Sequence, residues 1–293
     1  MSLMNPIALR DAAAWAVAAM TIALTGCRTP PRGAESHAPA AAAATSHTHS
    51  GEEEPEWHYE GAEGPAHWGT LSPEFAACGQ GRRQSPIDIT RATPVAAVRT
   101  AFPPAELRIA HHEHVADGIN NGHTIQINYP DAATLMVGGV AYQLTQYHFH
   151  SPSEHTVGGK RFPMEMHLVH KSADGTLAVV GVLIAEGAHN SAFDPVWAHL
   201  PQQVGVETHY PAMNVDVDAL LPAIRTSYRY DGSLTTPPCS EGVSWIVMTT
   251  PIELSREQVA AFTHLITGNS RPVQELNGRP ILSDAVAIVK VNR

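Results

Sequence analysis

From Trp57 onward the apolar positions of this 293-residue chain fall mostly in short runs separated by turn-forming residues. Five of them read as strands: "HTIQINYP" (123–130), "AYQLTQYHFH" (141–150), "MEMHLVH" (164–170), "TLAVVGVLIAEG" (176–187) and "VSWIVMTTPIEL" (243–254). Helical spacing is rare. Its best example is "SREQVAAFTHLI" (255–266), with Ser255 at the N-cap and Gln258 three residues on, the signature of a capping box. No internal repeat is visible. Many short strands, few helices, 22 Gly and 23 Pro predict one mainly β domain over residues 57–293.

The N-terminal part follows a different pattern. Arg10 precedes a largely apolar run, Ala12 to Leu24, too short to span a bilayer. The run ends in Leu24-Thr25-Gly26-Cys27, which resembles the lipobox of bacterial lipoprotein signal peptides; Asp11 departs from the usual positive charge. That resemblance implies a signal peptide over 1–26, lipidation of Cys27, and a lipid-anchored disordered tether over 27–56. The tether is low in complexity, is broken by Pro, Gly and Ser, carries His47-Thr48-His49, and lacks apolar periodicity. The expected location is the bacterial cell envelope, with the domain facing the periplasm or the cell surface. Of three cysteines, lipidation of Cys27 leaves Cys78 and Cys239 to pair in an oxidising compartment.

Charge narrows the partners. A formal charge of −10 and no basic stripe exclude nucleic acid. Membrane contact is expected only through the N-terminal anchor, and a homodimer stays open.

The segment "LTQYHFHSPSEHTVGGKRFPMEMHLVH" (144–170) holds five histidines and two glutamates. Alternation puts Gln146, His148 and His150 on one face of the first strand, and Glu165, His167 and Val169 on one face of the next. If the two strands are neighbours, three imidazoles converge. Three neutral nitrogen ligands leave zinc its full double charge and an open position for water. Gln146 and Glu165 are placed to accept the remaining ring N–H groups of ligating histidines. A carboxylate facing a core strand is otherwise costly.

"QYHFH", "SPSEH" and "EMHLVH" resemble the active-site strands of α-class carbonic anhydrases. The likeness continues through "GPAHWGTL" (64–71), "RRQSPIDI" (82–89), "NNGH" (120–123), "LAVVGV" (177–182), "LTTPPCSEGVSW" (234–245) and "NSRPVQ" (269–274), nearly spanning 57–293. A short connection before "SEH" resembles the bacterial branch. The resemblance implies a large central, twisted, mostly antiparallel sheet with a few short surface helices. It also implies reversible hydration of carbon dioxide to bicarbonate by zinc-activated hydroxide.

In the roles it implies, His148, His150 and His167 bind Zn²⁺, with Gln146 and Glu165 behind His148 and His167, and a carbonyl near Asn269 behind His150. Thr235 orients the nucleophile and donates a hydrogen bond to Glu154. Val169, Val179, Leu234 and Trp245 form the apolar pocket for carbon dioxide, which Thr236 also lines. His123 shuttles the proton, served by waters held on Tyr59, Asn121 and Gln126. Cis peptide bonds are implied at Ser85-Pro86 and Pro237-Pro238. Other functions open to this pattern are a non-catalytic binding module of the same fold, argued against by the intact triad, and a zinc-hydroxide esterase. His111-His112-Glu113-His114 reads as a solvated loop or strand end, His155 as a structural hydrogen-bonding residue, and Trp57 and Trp68 as packing.

Overall fold

A computed structural model describes residues 55–90, 92–94, 106–108, 116–129, 133–210 and 215–283. The signal-peptide segment, Cys27, nearly all of the tether and His111–His114 lie outside the described residues. No helix among the described residues is long and apolar enough to cross a membrane.

In chain order the strands are β1 (Asp88–Ile89), β2 (Thr93–Pro94), β3 (Glu106–Arg108), β4 (Ala116–Asn120), β5 (Ile125–Asn128), β6 (Thr134–Val137), β7 (Val140–His150), β8 (Thr156–Val157), β9 (Met164–Ser172), β10 (Leu177–Glu186), β11 (Glu207–Tyr210), β12 (Ser227–Ser233), β13 (Glu241–Met248), β14 (Ile252–Leu254) and β15 (Leu282–Ser283). Thirteen of them form one sheet in the order β11-β4-β5-β7-β9-β10-β13-β12-β15-β2, with β14 beside β10 and β6 joining β3 to β7. Most pairings are antiparallel; β10 pairs parallel with β13 and β14, as β15 does with β2. The helices are short: α1 (Trp68–Leu71), α2 (Ala76–Gln80), α3 (Asp194–Trp197) and α4 (Arg256–Thr263).

The five predicted strand runs and the helix are all present, with one difference. The run 243–254 is two strands, because Thr249-Thr250-Pro251 breaks the ladder before β14. Proline has no N–H to give a sheet. The helix begins as its sequence suggests: the Ser255 side chain accepts from Gln258 N–H, and the Gln258 side chain accepts from Ser255 N–H.

Both faces of the central strands are buried, but against different things. One face carries Tyr147, Phe149, Met164, Met166, Leu168, Val180 and Val182 into the larger core, where Phe193, Val196 and Phe262 cover it. The other face meets a smaller cluster of Val179, Leu183, Tyr230, Val243, Trp245 and Val247.

A bulge in β7 decides which residues reach that second face. Leu144 pairs with His170 while Gln146 pairs with Val169, so Thr145 is the extra residue. Before it the even positions Tyr142 and Leu144 are in the core; after it the odd positions Tyr147 and Phe149 are. One inserted residue reverses the parity of everything that follows. Gln146, His148 and His150 thereby leave the apolar core and share one face.

Candidate metal centre

Adjacent strands set the site out in rows. His148 of β7 lies opposite His167 of β9, which lies opposite Gly181 of β10. In the next row Gln146 faces Val169, Val169 faces Val179, and Val179 faces Trp245. The chemistry and the apolar wall are therefore neighbours by register alone. Gly181 matters for room: a Cβ there would stand 3.0 Å from Glu165 Oε1 and 3.6 Å from Trp245.

Each of the three histidines has one ring nitrogen held. His148 Nδ1 meets Gln146 Oε1 at 2.8 Å, His150 Nδ1 meets the Asn269 carbonyl at 2.7 Å, and His167 Nε2 meets Glu165 Oε1 at 2.9 Å. These acceptors fix the tautomers, leaving His148 Nε2, His150 Nε2 and His167 Nδ1 for a ligand. The candidate ligand atoms lie within 4.8 Å of one another. His150 Nε2 and Glu154 Oε2 are buried without a hydrogen-bond partner. An orphaned buried nitrogen costs free energy, and a cation at the point of convergence would satisfy it. Burial pushes the His148 and His150 imidazoles below their ordinary pKa, keeping them neutral as metal ligation requires. The donor set fits zinc.

Glu165 is anchored from two sides. Besides His167, its Oε1 meets His155 Nδ1 at 2.7 Å, and its Oε2 accepts from His155 N–H at 2.8 Å. Burial alone would raise this carboxyl, but the charges of His155 and His167 and their hydrogen bonds hold it well below the usual range. His155 in turn meets the Tyr230 hydroxyl at 2.6 Å. Its structural role is as expected from the sequence.

The four apolar residues expected to receive carbon dioxide come together: Val179 and Trp245 are core members of the second cluster, and Val169 and Leu234 pack against it. The Trp245 ring is 4.9 Å from that of His167, and its N–H donates to the Ser233 carbonyl at 2.9 Å. Thr235 and Thr236 follow in a turn where Cys239 N–H donates to the Thr236 carbonyl at 2.8 Å. The Cys78–Cys239 disulfide is formed and braces this turn across 161 residues. Ser85-Pro86 and Pro237-Pro238 are cis as implied, and so is Ser151-Pro152.

One expected contact is not made. Thr235 is buried, but no hydrogen bond joins it to Glu154 among the described residues. Glu154 Oε1 accepts from Arg271 N–H at 2.8 Å, and its Oε2 turns toward His150 Nε2 and His167 Nδ1, at 3.6 and 3.9 Å.

Toward the rim, His123 is half-buried and follows a tight turn. Asn121 Oδ1 accepts from the N–H groups of His123 and Thr124, and Gly122 takes a φ of +85° that a side chain would strain. Gln126 donates to Asn128 Oδ1 at 2.6 Å and lies opposite His148. The Tyr59 ring is 6.4 Å from that of His123, and burial, then the charge of Glu154, raises its hydroxyl well above the ordinary value. Trp68 packs as expected, but Trp57 does more, stacking on His123 with ring centres 3.8 Å apart and planes 9° from parallel.

No sequence pattern points to the Asn269 side chain, which donates to the carbonyls of His123 and Phe149 and accepts from Ser151 N–H. Nor does one point to Arg271, which spans Gln84, Ser85 and Cys78 and holds Glu154 through its N–H. Only their membership of "NSRPVQ" marked them.

A family model described as eukaryotic-type carbonic anhydrase matches residues 63–285. A carbonic anhydrase of Klebsiella pneumoniae is 45% identical over 233 residues, covering 77% of this chain and 90% of that protein. One from Nostoc sp. is 43% identical over 228 residues, covering 77% and 85%. The solved α-carbonic anhydrase of Thermovibrio ammonificans, in complex with the inhibitor sulfanilamide, is 42% identical with a TM-score of 0.72, covering 78% of this chain and 99% of that one. The chain belongs to the α-class carbonic anhydrase family, and its reaction is the reversible hydration of carbon dioxide.

Proposed function

We propose that the chain performs this reaction with Zn²⁺ held by His148, His150 and His167. The observation that carries the reading is the convergence of three nitrogens whose partner nitrogens are each already bonded to an acceptor. When bound, zinc supplies Lewis-acid activation of water at neutral pH, a property already known for this family.

The chain's own residues do the rest. Carbon dioxide has no charge and no strong hydrogen-bonding group, so Val169, Val179, Leu234 and Trp245 are a suitable receptor, lying one register row from the histidines. Thr235 and Glu154 orient the nucleophile toward that wall, while Arg271 N–H fixes the carboxylate. Thr236 lines the approach. His123 takes the product proton outward through water held near Tyr59, Asn121 and Gln126. A magnitude supports a carrier there: an acid of pKa about 7 releasing its proton directly to water does so at only about 10³ s⁻¹. Turnover near 10⁶ s⁻¹, long known for carbonic anhydrases, needs an internal acceptor. Histidine, with an unperturbed pKa of about 6.5, neither refuses nor traps the proton.

Stopped-flow hydration with and without a chelator, alongside metal analysis, tests the reading. Activity should vanish with the zinc and return with it; chelator-resistant hydration would overturn it.

The proposed setting is the bacterial envelope, with the enzyme lipid-anchored at Cys27 and facing the periplasm or cell surface. The lipobox-like sequence and a disulfide suited to an oxidising compartment support this. Cys27→Ser should release the protein from membranes or leave it unprocessed; a processed, membrane-bound variant would contradict the anchor. Size measurement on the purified domain decides whether a homodimer forms.

A further inference from the structure

Around His123 an open cleft of about 690 Å³ is lined by Glu56, Trp57, His58, Asn121, His123 and Val204, among others. It holds two histidines, and the proposed mechanism uses only one. Their ring centres are 6.2 Å apart with planes tilted by 44°. Trp57 covers a π face of His123. Imidazole nitrogens lie in the ring plane, so stacking fixes the ring and leaves both nitrogen edges free for proton transfer. The gap to His58 is too wide for a direct bond, but one water with two hydrogen bonds of about 2.8 Å spans it. His58 is the more exposed of the two, with half its side-chain surface in solvent, and its Nε2 stands 3.2 Å from the carboxylate of Glu56.

We propose that His58, steadied by Glu56, is a second proton carrier that receives the proton from His123 through one water and delivers it to buffer. The proposal rests on His123 being the first carrier. In the transfer, the His123 imidazolium loses one proton and the neutral His58 ring gains it. A buffer base then removes it, and both rings return to neutral. The two rings are electrostatically coupled: burial first, and the charge of His58 second, lower the proton affinity of His123. Two adjacent imidazolium ions repel, so the pair favours a single shared proton, as a relay needs. Among the described residues, Glu56 and Tyr59 are the other titratable groups at the two rings, and Tyr59 stays neutral over the working range.

The test compares full-length wild type, His58→Ala, His123→Ala and the double variant. In dilute buffer His58→Ala should slow net hydration roughly threefold, since buffer still reaches His123 through the open cleft, and concentrated imidazole should restore it. Isotope exchange between carbon dioxide and bicarbonate at equilibrium, which needs no proton release, should not change. The double variant should be no slower than His123→Ala. Independently of turnover, NMR titration of the metal-free protein should show the His123 pKa rising when His58 is replaced.

A His58→Ala protein matching wild type in both hydration and the His123 titration overturns the relay, whatever His123→Ala does. Additive losses in the double variant overturn it too, because His58 would then act on its own. An unimpaired His123→Ala overturns the underlying assignment of His123 instead.

Discussion

His167 and His170 sit three residues apart on β9, equally buried, and face opposite sides of the sheet. His167 points to the face where Glu165 takes one ring nitrogen and the other is left toward His148 and His150. His170 shares the face of Met164, Met166 and Leu168, lies opposite Leu144 and Ala178, and its ring meets backbone groups of Leu168, at 3.0 Å, and of Ala178. Burial without a carboxylate brings its pKa down to about 4. Residue type and burial are the same, so what separates a candidate metal ligand from a core residue is strand parity and the partner supplied behind the ring.

The largest expected effect tests the polar face. His148→Ala, His150→Ala or His167→Ala should each remove most bound zinc and nearly all hydration, whereas His170→Gln should remove neither. Metal analysis beside an activity assay shows the contrast, and full zinc in a ligand variant would take that residue out of the set.

Next come residues that act on the nucleophile without holding the metal. Thr235→Ala and Glu154→Ala should keep zinc yet lower kcat by about 100-fold, the usual scale for losing an oriented partner of the reacting atoms. Zinc loss equal to that of the ligand variants would make them structural instead. Glu165→Ala should act in the opposite sense, weakening zinc retention by about 10- to 100-fold, read in a competition titration with a chelator.

The smallest effect at neutral pH belongs to His170. Its folded pKa is about 4, against 6.5 for the free side chain. Between those values the unfolded chain binds more protons than the folded one, so stability falls as pH falls. The penalty grows below pH 6.5, is complete below about 4, and amounts to about 3 kcal/mol. Denaturant unfolding of His170→Gln should show a correspondingly shallower loss across that window; an identical pH dependence would place the acid sensitivity elsewhere.

Much of this site is legible in the sequence because its chemistry is periodic. His-x-His on one strand and Glu-x-His on the next state their own geometry once two-residue alternation is applied, and the structure pairs those strands as neighbours. The bulge at Thr145 was not legible: no Gly or Pro marks it, and it exists to reconcile two parities in one strand. Asn269 acts on His150 from 119 residues away, a contact that no local pattern carries. The Trp57 stack on His123 joins two segments that read separately as packing and turn. The division of 243–254 could have been foreseen from Pro251, which marks the break.

The zinc-edge X-ray absorption spectrum of the metal-loaded protein tests the central claim most directly. Three histidine nitrogens and one oxygen at about 2.0–2.1 Å are expected, with a nitrogen lost in His167→Ala but not in His170→Gln. A carboxylate-bearing set drawn from His155, Glu165 and His167, whose atoms also lie within 4.8 Å of one another, would contradict it.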